Sequence, residues 1–160
     1  MHWHQLSREL LVNDTPIQRV TLGSTHTLAI SSKSKLYSWG WNEFGQLGAH
    51  PEDMIKNEIH HGSHAIKQLL IQDYSGIPEC SYSKIKQIVS GEDHNLLRDE
   101  DGNVFAFGSN SKGQLGMGNY KDLYMPTRVD SLPENSIQEI STCGDQNLAC
   151  TKDGEVFIWP

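Results

Sequence analysis

A nine-residue stretch occurs twice in this chain. Residues 40–48 read Gly-Trp-Asn-Glu-Phe-Gly-Gln-Leu-Gly and residues 108–116 read Gly-Ser-Asn-Ser-Lys-Gly-Gln-Leu-Gly, identical at six of nine positions and 68 residues apart. The same offset relates Gly23-Ser24-Thr25-His26 to Gly91-Glu92-Asp93-His94. An internal repeat constrains architecture more than any other feature, because one unit cannot bury its apolar side alone and must stack on the next. A third copy starts at Ile137 and runs through Gly144, Leu148-Ala149-Cys150 and Gly154 to Trp159. With Gly144 matched to Gly91, this copy is one residue shorter before Leu148 and carries no histidine there, and Pro160 stands at the place of Gly40 and Gly108.

Each copy reads as β-structure. Short runs rich in β-branched and aromatic residues, such as Leu36-Tyr37-Ser38-Trp39 and Val104-Phe105-Ala106-Phe107, alternate with Gly, Asn, Asp and Ser breaks. Asp101-Gly102 and Asp153-Gly154 lie between two such runs and signal hairpins, whereas copy one has the less ideal Ser32-Lys33-Ser34 there. Val129 and the segment after Pro126 supply a fourth short strand. Four antiparallel strands per unit, repeated at tens of residues, spell β-propeller blades. The copies span residues 16–48, 84–133 and 137–160, with an irregular insert at 49–83, so the whole chain 1–160 reads as a partial propeller. Leu10-Leu11-Val12 suits an outer strand of a preceding blade.

The Gly-x-Asn-x-x-Gly-Gln-Leu-Gly motif, preceded by Gly-x-x-His and an aromatic-Gly pair, resembles the repeat of the regulator of chromosome condensation family. The resemblance runs from about Pro16 to Trp159, the insert excepted. It implies a seven-bladed all-β propeller, of which about two and a half repeats, an incomplete arc, are present. As an alternative function the resemblance implies that of the founding member, a guanine-nucleotide exchange factor for the small GTPase Ran.

Structural roles suit most recurrent residues. Gly45, Gly48, Gly113 and Gly116 fit tight turns; phosphate-cradling loops lead into helices, and nothing helical follows Gly116. Asn42 and Asn110 are expected to close their loops through side-chain-to-backbone bonds, Gln46 and Gln114 to bond buried backbone, and Leu47 and Leu115 to pack between blades. His26 and His94 recur at one repeat position, which suits a hydrogen bond bracing a strand pair rather than catalysis. Cys143 and Cys150 read as packed free thiols; with Cys80 they make an odd count that fits a reducing compartment.

The insert is the irregular part. Met54, Ile55, Ile59, Ile66, Leu69 and Leu70 approximate helical spacing, interrupted near Gly62. Two readings stay open: a partner-binding element using Ile55, Ile59, Ile66, Leu69 and Leu70, or a loop covering its own blade. His60, His61 and His64 lack a carboxylate or thiol to complete a metal set, so no metal is expected, and no cofactor or small-molecule substrate.

Thirteen basic and twenty acidic residues give a net charge of −7, without a basic block. Phosphate neutralisation needs clustered cations, so nucleic-acid binding is not expected. No run of eighteen apolar residues exists, and no membrane partner is expected. No nucleophile–base–orienter set stands out. The sequence therefore favours a non-enzymatic protein-interaction module or scaffold subunit of an intracellular assembly, in the cytoplasm or cytoskeleton, cilium included, rather than the nucleus. Its protein partner would sit at open blade edges or at the insert. The alternative is exchange activity on a Ran-like GTPase.

Overall fold

The computed structural model describes residues 16–50, 70–72 and 84–160. These residues form eleven strands and no helix. Blade one comprises β1 (Ile17–Leu22), β2 (His26–Ser31), β3 (Leu36–Gly40) and β4 (Leu70–Gln72); blade two comprises β5 (Ile85–Ser90), β6 (His94–Asp99), β7 (Val104–Gly108) and β8 (Leu123–Arg128). Blade three has β9 (Ile137–Cys143), β10 (Gln146–Thr151) and β11 (Val156–Trp159). Every pairing is antiparallel between neighbours. The first strands of successive blades touch, β1 against β5 and β5 against β9, so the blades fan out from a row of first strands. This is an incomplete propeller arc.

The alternation of side chains along a strand builds the core between blades rather than within one. Along blade two, Leu97, Phe105 and Phe107 point back into a cluster with Leu28, Ile30 and Leu36 of blade one. Their neighbours Leu96, Val104 and Ala106 point forward into a cluster with Ile137, Ile140 and Ala149 of blade three. Blade two is thus apolar on both faces, which explains its near-continuous Val-Phe-Ala-Phe run. The corresponding forward side chains of blade three, Leu148, Val156 and Ile158, are 43%, 67% and 68% exposed.

Two expectations about outer strands need correction. Leu70, grouped above with helically spaced residues, lies in β4, where Ser38 pairs with Leu70, Tyr37 with Ile71 and Leu36 with Gln72. The insert therefore contains the fourth strand of blade one, and blade one does not end at residue 48. Ladder bonding to β3 outweighs a loose helical periodicity in so short a segment. Ile55, Ile59, Ile66 and Leu69 fall outside the described residues, as do His60, His61, His64, Cys80 and residues 10–12. In blade two the fourth strand runs through Pro126 rather than starting after it. As the sheet edge, β8 needs no ladder donor on its outer side, and the register shifts opposite Ala106–Gly108.

The hairpin turns explain a local weakness. Ser34 adopts φ +59°, at the position where the other copies carry Gly102 (φ +102°) and Gly154 (φ +89°). Its N–H still bonds the Ser31 carbonyl at 2.9 Å. A left-handed residue with a Cβ costs roughly 1–2 kcal/mol. Ser34→Gly is expected to stabilise the chain by about 0.5–1 kcal/mol, part of the relief being offset by backbone entropy. Urea unfolding should show a higher midpoint with an unchanged slope.

Candidate functional site: the relay between blades

The two recurrent histidines open the second strands of blades one and two. Neither braces a pair of strands within its own blade; each reaches across to the next. His26 Nε2 lies 2.8 Å from Asn95 Oδ1 on β6, and His94 Nε2 lies 2.7 Å from Asn147 Oδ1 on β10. Each asparagine then returns a bond to the blade that sent the histidine. Asn95 Nδ2 donates to the Gln46 carbonyl at 2.8 Å, and Asn147 Nδ2 donates to the Gln114 carbonyl at 2.9 Å. Because the amide nitrogens are committed to carbonyls, the oxygens face the rings, and each histidine carries its proton on Nε2. Each junction is closed by the same relay: histidine, asparagine of the next blade, motif-loop carbonyl of the first.

The nine-residue motif builds the loop that receives this relay. Asn42 Oδ1 accepts from the Leu47 N–H (2.8 Å), and Asn110 Oδ1 accepts from the Leu115 N–H (2.9 Å). Asn42 Nδ2 donates to the Ala49 carbonyl, and Asn110 Nδ2 to those of Asn119 and Lys121. Gln46 Oε1 accepts from Phe44 N–H, and Gln114 Oε1 from Lys112 N–H, both at 2.9 Å. The glutamine amides extend across the junction toward Asp93 and Asp145, each at 3.4 Å. Leu47 and Leu115 are fully buried; Leu115 packs in the cluster between blades two and three. Gly45, Gly48, Gly113 and Gly116 all take positive φ within these loops, as do Gly40 and Gly108 at the preceding strand ends. Trp159 in blade three adds an indole bond to the same Gln114 carbonyl at 3.1 Å.

The structure also corrects the alignment of the third copy. Ser24 N–H bonds the Glu92 carbonyl, and Glu92 N–H bonds the Gly144 carbonyl, both at 2.9 Å. Gly144 therefore occupies the place of Glu92, not of Gly91, and Cys143 stands where Gly91 would be. With that shift the third copy has no missing residue, and Gln146 occupies the histidine position. The reason is steric. A Cβ on Gly91 would lie 2.2 Å from His94 Cε1, and one on Gly23 would lie 2.0 Å from His26 Cε1. Blade three has no imidazole at Gln146, so a side chain is tolerated before it. Cys143 is exposed and Cys150 partly exposed, against the expectation of packed thiols, because both sit on the blade whose forward face is uncovered.

Asn95, Asn147, Asp93 and Asp145 are functional members that the motif reading passed over. Their signal was present: each pair stands 52 residues apart, the offset that relates His94 to Gln146. Blade one differs, with Thr25 and Thr27 at these places. Electrostatically the junctions are built for neutral rings. Burial pushes both imidazoles below their ordinary range, and the bonds to Asn95 and Asn147 only partly oppose this. Lys112 pairs with Asp145 on the surface of the second junction, and that bond holds its ammonium above the usual range. No group of three or more metal-ligating side chains occurs among the described residues, and no helix there is long and apolar enough to cross a membrane.

The sequence matches the Regulator of chromosome condensation (RCC1) repeat at residues 33–97 and 101–150, and a second form of that repeat at 17–46 and 85–114. The chain belongs to this repeat family. Among its relatives, the human RCC1-like G exchanging factor-like protein is 30% identical over 147 residues, covering 91% of this chain and 29% of the relative. The Arabidopsis thaliana ultraviolet-B receptor UVR8 is 34% identical over 146 residues, covering 89% of this chain and 29% of the receptor. The match to the probable E3 ubiquitin-protein ligase HERC4 of Rattus norvegicus, at 34% identity, covers 92% of this chain and 13% of the ligase. Human WBSCR16 superposes with a TM-score of 0.69 at 29% identity, over 91% of this chain and 34% of that one. Yeast RCC1 (Prp20), in its complex with Kap60, superposes at 0.67 and 21% identity over 89% and 32%, a likeness of fold. The chain spans less than a third of the length of each of these curated relatives.

Proposed function

We propose that this chain serves as a non-enzymatic protein-interaction module, a scaffold subunit of a larger assembly inside the cell. The observation that carries this reading is the forward face of blade three. Leu148, Val156 and Ile158 occupy the register that Leu96, Val104 and Ala106 bury at the preceding junction, yet they are solvent-exposed. Full burial of such a side chain is worth roughly 1.5–3 kcal/mol. The recurrent polar residues, by contrast, are spent on joining blades, and both imidazoles have their Nε2 atoms engaged by asparagine. The acidic balance and lack of a basic block favour cytoplasm or cytoskeleton, cilium included, over a chromatin partner. Size-exclusion chromatography with light scattering tests the reading. The wild-type chain is expected to run larger than a monomer, alone or with a partner, and Ile158→Glu to reduce that mass without changing the circular dichroism. A monodisperse, thermally stable wild-type monomer that gains no partner would overturn it.

A second reading is exchange activity on a Ran-like small GTPase, which draws support from the likeness to the human RCC1-like G exchanging factor-like protein. A nucleotide-release assay against a panel of small GTPases separates the two, and no acceleration is expected.

A further inference from the structure

The geometry points to an acid-sensitive latch: protonation of His26 and His94 at Nδ1 releases the junctions on either side of blade two. Both rings are sealed in, with His26 3% and His94 0% exposed. Their Nε2 protons are committed to Asn95 and Asn147. The opposite nitrogen, Nδ1, is buried in both rings without a hydrogen-bond partner. It lies against the backbone of Gly23 or Gly91, since a Cβ there would come within 2.4 Å or 2.5 Å of it. The N–H groups of those glycines are already given to the His26 and His94 carbonyls at 2.9 Å. A bare lone pair tolerates this packing; an added N–H would be a buried donor with no acceptor, beside a newly buried charge.

No charged side chain supplies the missing acceptor, and the Gly144 carbonyl beside Gly91 already takes the Glu92 N–H at 2.9 Å. The charged groups facing His26 are Asp93 and His94, and those facing His94 are Asp145 and Asp93. Asp93 takes bonds from Thr25 and Gln46, and Asp145 from Lys112 and Gln114. Glu92 faces Lys112 rather than a ring. Burial dominates at both sites, so each folded-state pKa lies below the ordinary value of about 6.5. The stability of each junction is therefore complete above that value. It falls as pH drops below about 6.5, because the opened junction binds protons that the closed one refuses. Both rings shift in the same direction, so acid loosens the arc on both sides of blade two.

Hydrogen exchange with mass spectrometry on the full chain reads this directly. Between pH 7.5 and 5.5, after correction for intrinsic exchange, protection of β6 and β10 is expected to fall by up to about tenfold per imidazole. The double variant His26→Gln, His94→Gln keeps an amide donor, the residue type found at Gln146, and is expected to lose that excess pH dependence. An equal fall in the variant would overturn the latch. Should the variant not fold, the Cε1–H resonances of the wild-type histidines decide. Titration at or above pH 6.5 refutes the proposal, and titration below it, accompanied by loss of protection, supports it.

Discussion

Leu115→Asp is expected to leave no cooperative unfolding transition and no near-ultraviolet circular dichroism at neutral pH. Leu115 is fully buried among Leu96, Val104, Ile137 and Ile140, so it seals the junction of blades two and three. Its backbone is fixed as well, since Asn110 Oδ1 accepts its N–H. Removing the isobutyl group costs about 2–5 kcal/mol through lost contacts and a cavity. A carboxylate in its place adds a further cost of several kcal/mol, because its neighbours in that cluster are apolar. The sum reaches the whole stability of an ordinary domain, about 5–15 kcal/mol. Leu115→Met, which conserves volume, should cost under about 1.5 kcal/mol. An aspartate variant that kept the wild-type melting temperature would contradict the packing role.

Gly108→Ala is expected to destabilise the chain by about 4 kcal/mol, lowering the melting temperature by on the order of 10 °C. Gly108 sits at φ +108° where β7 leaves the sheet. A Cβ there would lie 2.5 Å from the Asp93 carbonyl oxygen and 2.8 Å from His94 Cα. Both are backbone atoms of the turn that sets up the relay, so no rotamer change relieves the overlap. Gly118 provides the control. It too has a positive φ, +67°, but a Cβ there meets nothing within 4 Å. Gly118→Ala should cost only the backbone strain, about 1 kcal/mol. Thermal unfolding of the two variants side by side separates strain from collision, and equal losses would refute the account given for Gly108.

The propeller arc was legible because its determinants recur. Gly-Gln-Leu-Gly in two loops, together with apolar runs of period two, is enough to specify blades that bury side chains between them. What connects the blades was harder to read. Asn95 and Asn147 follow a histidine in one copy and a glutamine in the other, so anchoring on histidine concealed their equivalence. Matching glycine with glycine, Gly91 with Gly144, then introduced a spurious deletion. The physical rule is that glycine is needed there only when an imidazole lies above it. A residue requirement of this kind belongs to a pair of positions, and a scan of single positions does not see it. Outer strands were obscure for a different reason. β4 is three residues long and pairs with β3 across twenty-nine intervening residues. Neither its composition nor its periodicity marks it as part of blade one.

The relay also makes the blades unequal as building parts. Blade two carries both halves, receiving through Asn95 and sending through His94. Blade one sends through His26 but has Thr27 at the receiving position, and blade three receives through Asn147 but has Gln146 at the sending position. A tandem duplication of blade two would therefore place a histidine against an asparagine at the new seam. Duplicating blade one would set His26 against Thr27, and duplicating blade three would set Gln146, not a histidine, against Asn147. Growth of such an arc by gene duplication, or by engineering, is thus directional in what it permits: the middle unit can be copied with its histidine relay intact, and the outer ones cannot.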